Sequence, residues 1–451
     1  MQQEVIAVYD IGKTNKKIIL FNDKLEVVYE QEKVFEEITD DDGFGCDDIE
    51  KIENWIKKSL NELSISKKFQ IKGVNFCTYG ASLVYLDKEG NRIGPVYNYL
   101  KPMPDDVLDD FYVQWGGKEQ FSRVTASPAM GMLNSGLQIL WLKKKKSLVY
   151  NRVKSILHFP QYLSYLFTGK IISEYTSIGC HTAMWDFDHN QYHPWLQSEN
   201  IHLPAPVSNK VTWPTFLNGK EIHVGSGLHD SSSSLVPYFS GSVPFILVST
   251  GTWCILMNPF NAEPLTFDQL RKDTLCYMSI NQKQVKSSRL FMGHMHDINL
   301  KRITTHFNCA PHFYKTIRYN PGLMDQIKSR FKGSKVFFKN GIPDDYLDRE
   351  VNPEMFTSFE QAYHVLMSDL TQLVLESLEL ITPAKDNTKA LYLCGGFTHN
   401  DIFIHLLPKW LPDKNVIPSQ INNATALGAA LVIWEKVFLK DAPKNIIKNT
   451  I

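Results

Sequence analysis

Apolar positions follow two rhythms along this chain. Short unbroken runs rich in β-branched residues, Val5-Ile6-Ala7-Val8-Tyr9, Ile18-Ile19-Leu20-Phe21, Val74 to Thr78, Leu83 to Leu86, Phe245-Ile246-Leu247-Val248 and Leu391-Tyr392-Leu393-Cys394, predict strands buried on both faces. Other segments repeat every three or four residues. Ile49, Ile52, Ile56, Leu60 and Leu63 predict an amphipathic helix behind a capping box of Asp47 and Glu50. Met367, Leu370, Val374, Leu378 and Ile381 predict a second, capped by Thr357 and Glu360 and stopped by Pro383. Residues 104–200 read as mainly helical. A final helix from Asn422-Asn423 carries Ala424, Ala426, Gly428, Ala429 and Ala430, a side small enough for very close packing.

Polar glycine turns interrupt the strand runs at telling places. Val5 to Tyr9 stops at Asp10-Ile11-Gly12, and the return strand follows Lys13 to Lys17. Phe245 to Val248 stops at Ser249-Thr250-Gly251-Thr252, and Trp253 to Met257 returns. Strand, glycine turn and return strand thus occur twice. This predicts an α/β fold of two domains, 1–243 and 244–451, duplicated around a cleft, with the change of pattern at Gly241-Ser242-Val243-Pro244.

Composition narrows the classes of function. With Lys+Arg and Asp+Glu both at 48, the 451-residue chain has no net charge and lacks the basic footprint of a nucleic-acid binder. The run of four lysines, 143–146, reads as a solvated helix end. The start is too short in apolar residues for a signal peptide or membrane span, and seven scattered cysteines without C-x-x-C spacing read as free thiols. These features predict a cytoplasmic protein without membrane or nucleic-acid partners.

The candidate chemistry sits in the turns. Asp10 ends a buried strand and can hold magnesium, while Lys13, Thr14, Asn15, Lys16 and Lys17 offer donors and positive charge to phosphates; an ordinary polar hairpin reads equally well from the same residues. Thr250, Gly251 and Thr252 form a similar turn, and Gly395-Gly396 lets a ligand approach the backbone, with Asn400 as helix cap or donor. Asp230 heads a predicted helix after Glu221 to Val224, as a structural cap or as a general base with His229 beside it. Gly293-His294-Met295-His296-Asp297 crowds metal-type ligands into one short segment, which without a second cluster argues against a metal site.

In order and setting, Asp-x-Gly-x-Thr, His-Asp, Ser-Thr-Gly-Thr-Trp and Gly-Gly-x-x-x-Asn resemble the FGGY family of carbohydrate kinases, in the sugar-kinase, actin and heat-shock-70 superfamily. The resemblance spans residues 4 to 436 and includes Phe159 to Lys170 and Glu174-Tyr175-Thr176-Ser177. It is greatest to members acting on 6-deoxyketoses such as L-rhamnulose. It implies two actin-like, ribonuclease H-like domains around an ATP and sugar cleft, and transfer of phosphate from Mg-ATP to a ketose hydroxyl. By position it implies magnesium at Asp10, phosphates at Lys13 to Lys17, proton removal by Asp230, and sugar contacts from Gly80, Ala81 and His229. Thr250 to Thr252, Gly395, Gly396 and Asn400 would then meet the nucleotide. Tyr79 stands where the 6-deoxyketose kinases carry tryptophan and Ser82 where they carry aspartate. Asn98-Tyr99-Leu100-Lys101 replaces a Gln-Asp-x-Arg-like segment, so the resemblance leaves open a xylulose or L-fuculose acceptor as well as the oligomeric state, a homodimer included. The actin and heat-shock-70 branches supply the other class, a nucleotide-switched binding protein; a sugar-dependent release of ADP separates the two.

Overall fold

A computed structural model describes residues 2–241, 243–443 and 446. Each expected strand run forms a strand, and all but Leu83–Leu86, which pairs with Arg92–Ile93 and Ser155–His158 in a small sheet, fall in two large sheets. The first runs in the order Thr212–Leu217, Lys220–Gly225, Phe69–Thr78, Gln3–Ile11, Asn15–Asn22, Val27–Val34, with Leu228–His229 also paired to Phe69–Thr78. The second runs Thr274–Met278, Gln284–Leu290, Cys254–Asn258, Phe245–Thr250, Ala390–Gly395, Asn415–Pro418.

The two sheets repeat one plan in register as well as in order. Gln3–Ile11 is antiparallel to its return strand and parallel to Phe69–Thr78, so Asp10 faces Lys17 on one side and Cys77 on the other. Phe245–Thr250 is likewise antiparallel to Cys254–Asn258 and parallel to Ala390–Gly395, which sets Thr250 opposite Cys254 and Gly395. The two glycine turns therefore occupy equivalent places.

Helices cover both faces of the first sheet. Ile49–Ile65 buries Ile52, Ile56 and Leu60 completely against it. Its N-cap is Asp48, which accepts from the Lys51 amide, so the expected box at Asp47 is one residue early; Asp47 is held by lysines instead. The long helix Phe359–Ile381 shows the same shift, capped by Ser358 and not Thr357. Residues 104–200 are less helical than expected, with short helices broken by strands such as Ser155–His158 around a core that includes Trp141 and Trp195.

The last helix, Ala424–Phe438, lies in sequence after the second sheet but packs on the first. Ala426, Ala429 and Ala430 join Ile6, Val8, Ile19 and Phe21 in one apolar cluster, and the buried Asn75 amide donates to the Ala429 carbonyl at 2.7 Å. A Cβ on Gly428 would stand 1.9 Å from the Ser233 carbonyl, so the small side of this helix is what allows it to touch the short helix Asp230–Ser234. The run 244–451 is thus not one spatial unit, because a buried stripe of small residues draws its end back onto the first sheet. Ser242, in the segment where the pattern changes, lies outside the described residues.

Candidate active site

Three parallel strands, Gln3–Ile11, Phe69–Thr78 and Leu228–His229, end side by side, with Asp10, Cys77 and Leu228 in one row and Ile11, Thr78 and His229 in the next. The space beyond the carboxyl ends of parallel strands is where α/β folds bind ligands. Asp10 and Asp230 both open into it from opposite sides of the central strand. Burial, then the charge of Asp230, pushes the Asp10 carboxyl up to about 7. Burial also lifts Asp230 to about 6, against the pull of the Ser231 amide, which donates to its Oδ1 at 2.5 Å. The Asp230 side chain stays 33% exposed, so it is open to a ligand.

His229 stands behind Asp230 with Nε2 at 3.1 Å from its Oδ1 and 3.0 Å from Cys180 Sγ. Burial pushes His229 down to about 3, so the ring is neutral. Gly80 makes this packing possible, since a Cβ there would sit 2.7 Å from Cys180 Sγ and 3.2 Å from the His229 ring. Ala81 follows at φ 61° with its methyl buried, and its carbonyl accepts from Gln138 Nε2 at 2.7 Å. Gly80, Ala81, His229 and Asp230, the four residues expected to meet the sugar, are therefore brought together.

The lysines of the first turn are placed differently from the sequence expectation. Lys16 is 1% exposed, with Nζ at 2.8 Å from Asp47 Oδ1, and Lys13 binds Asp47 at 2.8 Å and Glu37 at 2.7 Å. Tyr79 donates its hydroxyl to the same Asp47 at 2.7 Å. Burial acts to raise the Asp47 carboxyl, but these three partners outweigh it and hold it below its ordinary value. Lys17 points to Glu30 at 3.1 Å and Glu32 at 3.3 Å. All three ammonium groups are thus committed to carboxylates of their own half. What the turn leaves free are Thr14 and Asn15, both exposed at its tip.

On the second sheet the glycine turn divides into structure and site. Thr250 is buried, donates to the Cys394 carbonyl at 2.7 Å and accepts from the Phe397 amide at 3.1 Å, so it knits the two strand ends together and does not face a ligand. Gly395, at φ +88°, has the same supporting part: a Cβ there would lie 1.7 Å from the Thr250 carbonyl. Gly251, Thr252, Gly396 and Asn400 instead line an open cleft of about 590 Å³. Asn400 caps Asp401–Trp410 by accepting from the Phe403 amide, and its own amide donates to the Tyr363 hydroxyl at 2.7 Å at the edge of the cleft.

The segment Gly293 to Asp297, singled out in the sequence, lies on this cleft, whereas Tyr314, Lys315 and Arg318 on its lining were not foreseen. His296, Asp297, Tyr314, Lys315 and Arg318 line it, and neither Lys315 nor Arg318 has a carboxylate partner among the described residues. Gly293 brings the segment in, with its amide donating to the Thr252 carbonyl at 3.0 Å. The crowded His and Asp residues here do not converge: His294 stacks on Phe291, while His296 bridges Asp297 at 2.8 Å and the Tyr363 hydroxyl at 3.1 Å. Among the described residues the one close group of three such ligands is Asp40, Asp41 and Asp42, whose carboxylates are paired with Lys101 and Lys146. The 143–146 lysines are paired or bonded in the same manner, Lys143 to Glu199 at 2.7 Å and Lys144 to the Val107 carbonyl at 3.0 Å.

The first sheet thus carries a carboxylate pair at its strand ends, and the second a glycine turn built on the same plan. Residues 5–211 match the model of the N-terminal domain of the FGGY family of carbohydrate kinases. Among curated proteins the chain is similar to the rhamnulokinase of Yersinia pestis (strain Pestoides F), 26% identical over 237 residues, covering 51% of this chain and 47% of that protein. The chain spans about half the length of the curated relatives it matches. A carbohydrate kinase from Novosphingobium aromaticivorans superposes with a TM-score of 0.78 at 22% identity, over 96% of this chain and 92% of the other. The ligand-bound xylulose kinase of Lactobacillus acidophilus gives 0.76 at 15%, over 99% and 91%. These likenesses establish the fold, two actin-like α/β domains. Among the described residues no helix is long and apolar enough to cross a membrane.

Proposed function

We propose that the protein transfers the γ-phosphate of ATP to a primary hydroxyl of a ketose, a 6-deoxyketohexose such as L-rhamnulose before L-fuculose or a xylulose. The observation that carries this is the placement of Asp10 and Asp230 at adjoining strand ends of one sheet, with a cleft lined by Gly251, Thr252 and Gly396 at the matching turn of the other. One half offers a base and the other a seat for a nucleotide.

Asp230 takes the proton of the attacking hydroxyl, and its raised value near 6 keeps it a usable base at neutral pH. His229, neutral and fixed by Cys180, holds the sugar beside it, with Gly80 and Ala81 completing the wall. Thr252, Gly251, Gly396 and Asn400 seat the nucleotide, and the exposed Thr14 and Asn15 with the backbone of their turn face its phosphates. Asp10 fits a magnesium site: its carboxyl is buried beside a like charge, a strain that a divalent cation relieves. The ion would neutralise charge on the phosphates. Phosphoryl transfer needs chiefly such positioning and charge balance.

We place the domain division at 243/244, with Ala424–Phe438 crossing back, and closure of the cleft at the segment near 241. The seven unpaired cysteines support a reducing compartment, hence the cytoplasm. A coupled assay of ADP release over L-rhamnulose, L-fuculose and D-xylulose tests the reading. Sugar-stimulated turnover supports it; ATP binding with no stimulation by any of them overturns it.

A further inference from the structure

Two residues that the sequence reading left unassigned meet beside His229. His181 comes from the first half, at φ 41°, a left-handed backbone that is strained for any residue with a side chain and that tends to persist where function requires it. Tyr277 comes from the second half, on the strand Thr274–Met278. Its ring lies 5.5 Å from that of His229 and 6.3 Å from that of His181, centre to centre. The halves are in firm contact here, since a Cβ on Gly179 would meet Met278 Cβ at 2.3 Å.

The hydrogen-bonding state of both groups follows from their neighbours. His181 Nδ1 lies 3.3 Å from the Leu133 carbonyl, which only accepts, so Nδ1 carries the ring hydrogen. Burial, then the charges of His229 and Arg289, pushes His181 down to about 3, and a neutral ring with hydrogen on Nδ1 leaves Nε2 a bare acceptor. The Tyr277 hydroxyl has no hydrogen-bond partner among the described residues, although the residue is only 6% exposed and its hydroxyl is not among the fully enclosed unpartnered atoms. Burial, and then the charge of Cys180, pushes the hydroxyl up, with smaller contributions from Arg289 and Asp230.

We propose that His181 and Tyr277 form a sugar-reading pair, His181 Nε2 accepting from one hydroxyl of the acceptor and the Tyr277 hydroxyl bonding its neighbour, so that the pair selects a vicinal diol next to the reacting carbon. The inference rests on the sugar-kinase reading above and deepens it. Because one member belongs to each half, the diol is read only where the halves meet. An acceptor that lacks one of the two hydroxyls leaves a buried polar group unpaired, which is the strongest basis for rejecting it.

The test is binding, followed by calorimetry without ATP, of L-rhamnulose, L-fuculose, D-xylulose and their singly deoxygenated analogues to the whole chain and to Tyr277→Phe and His181→Asn. Tyr277→Phe keeps the ring, and asparagine tolerates the left-handed backbone at 181. The pair predicts that Tyr277→Phe weakens binding of the preferred ketose about 10- to 100-fold. It loses nothing further against the analogue without the hydroxyl that Tyr277 reads, while ATP affinity is unchanged. Equal binding by wild type and Tyr277→Phe overturns the pair, as does an equal loss against every analogue. Should His181→Asn fail to fold, Tyr277→Phe decides alone. Tight ketose binding without phosphorylation sinks the kinase reading and spares the pair; phosphorylation with both variants unaffected does the reverse. Binding of no ketose overturns both.

Discussion

The charge of Asp230 reaches Asp10 across a single strand and is second only to burial in lifting the Asp10 carboxyl to about 7. In the proposed function the two divide the work, Asp10 toward a cation and Asp230 toward a proton.

The first expectation concerns pH. Asp230 acts only as the carboxylate, and burial lifts its pKa to about 6. Below that value the base is protonated and idle, so kcat/KM for the sugar rises about tenfold per pH unit up to roughly pH 6 and levels above it. A rate profile from pH 4.5 to 8 at saturating ATP checks this. An acid limb breaking near 4, the ordinary range of an aspartate, would show that burial does not govern the base.

A second expectation concerns Asp47. It is 5% exposed and neutralises the fully enclosed Lys16 together with Lys13. Removing one partner of a buried pair leaves the other charge uncompensated, so Asp47→Ala should cost about 3–5 kcal/mol in urea unfolding. A loss below about 1 kcal/mol, the range of a surface pair, would contradict the burial of this network.

Neighbouring glycines give a third. Gly395→Ala forces a methyl to 1.7 Å from the Thr250 carbonyl at φ +88°, whereas a Cβ on Gly396 meets nothing within 4 Å. Gly395→Ala should unfold the second half or abolish ATP binding, and Gly396→Ala should leave the melting temperature unchanged. Equal melting of the two variants would contradict the close approach of the strand ends.

What the sequence revealed divides along a physical line. Local features were legible: the strand runs, the glycine turns and the helical periodicity of Ile49 to Leu63 rest on neighbours in the chain. The partners of Lys13 and Lys16 were not, because Asp47 lies 31 residues or more away and reads locally as a helix cap. Thr250 looked like a ligand contact because its tie to Cys394 spans 144 residues. The same distance hides Lys315 and Arg318, whose polarity alone does not separate them from any solvated surface. The stripe from Ala426 to Ala430 announced a close neighbour without naming it; only the fold shows it to be the helix that begins at Asp230.

The central claim is that Asp230 removes the proton from a sugar hydroxyl as phosphate arrives. The most direct measurement follows radiolabel from γ-labelled ATP into L-rhamnulose, or whichever ketose the wild type accepts, by wild type and Asp230→Asn, with ATP binding measured alongside. The account predicts labelled sugar phosphate from wild type, about 10²- to 10⁴-fold slower transfer by Asp230→Asn, and equal ATP affinity. Transfer at the wild-type rate by Asp230→Asn would contradict it.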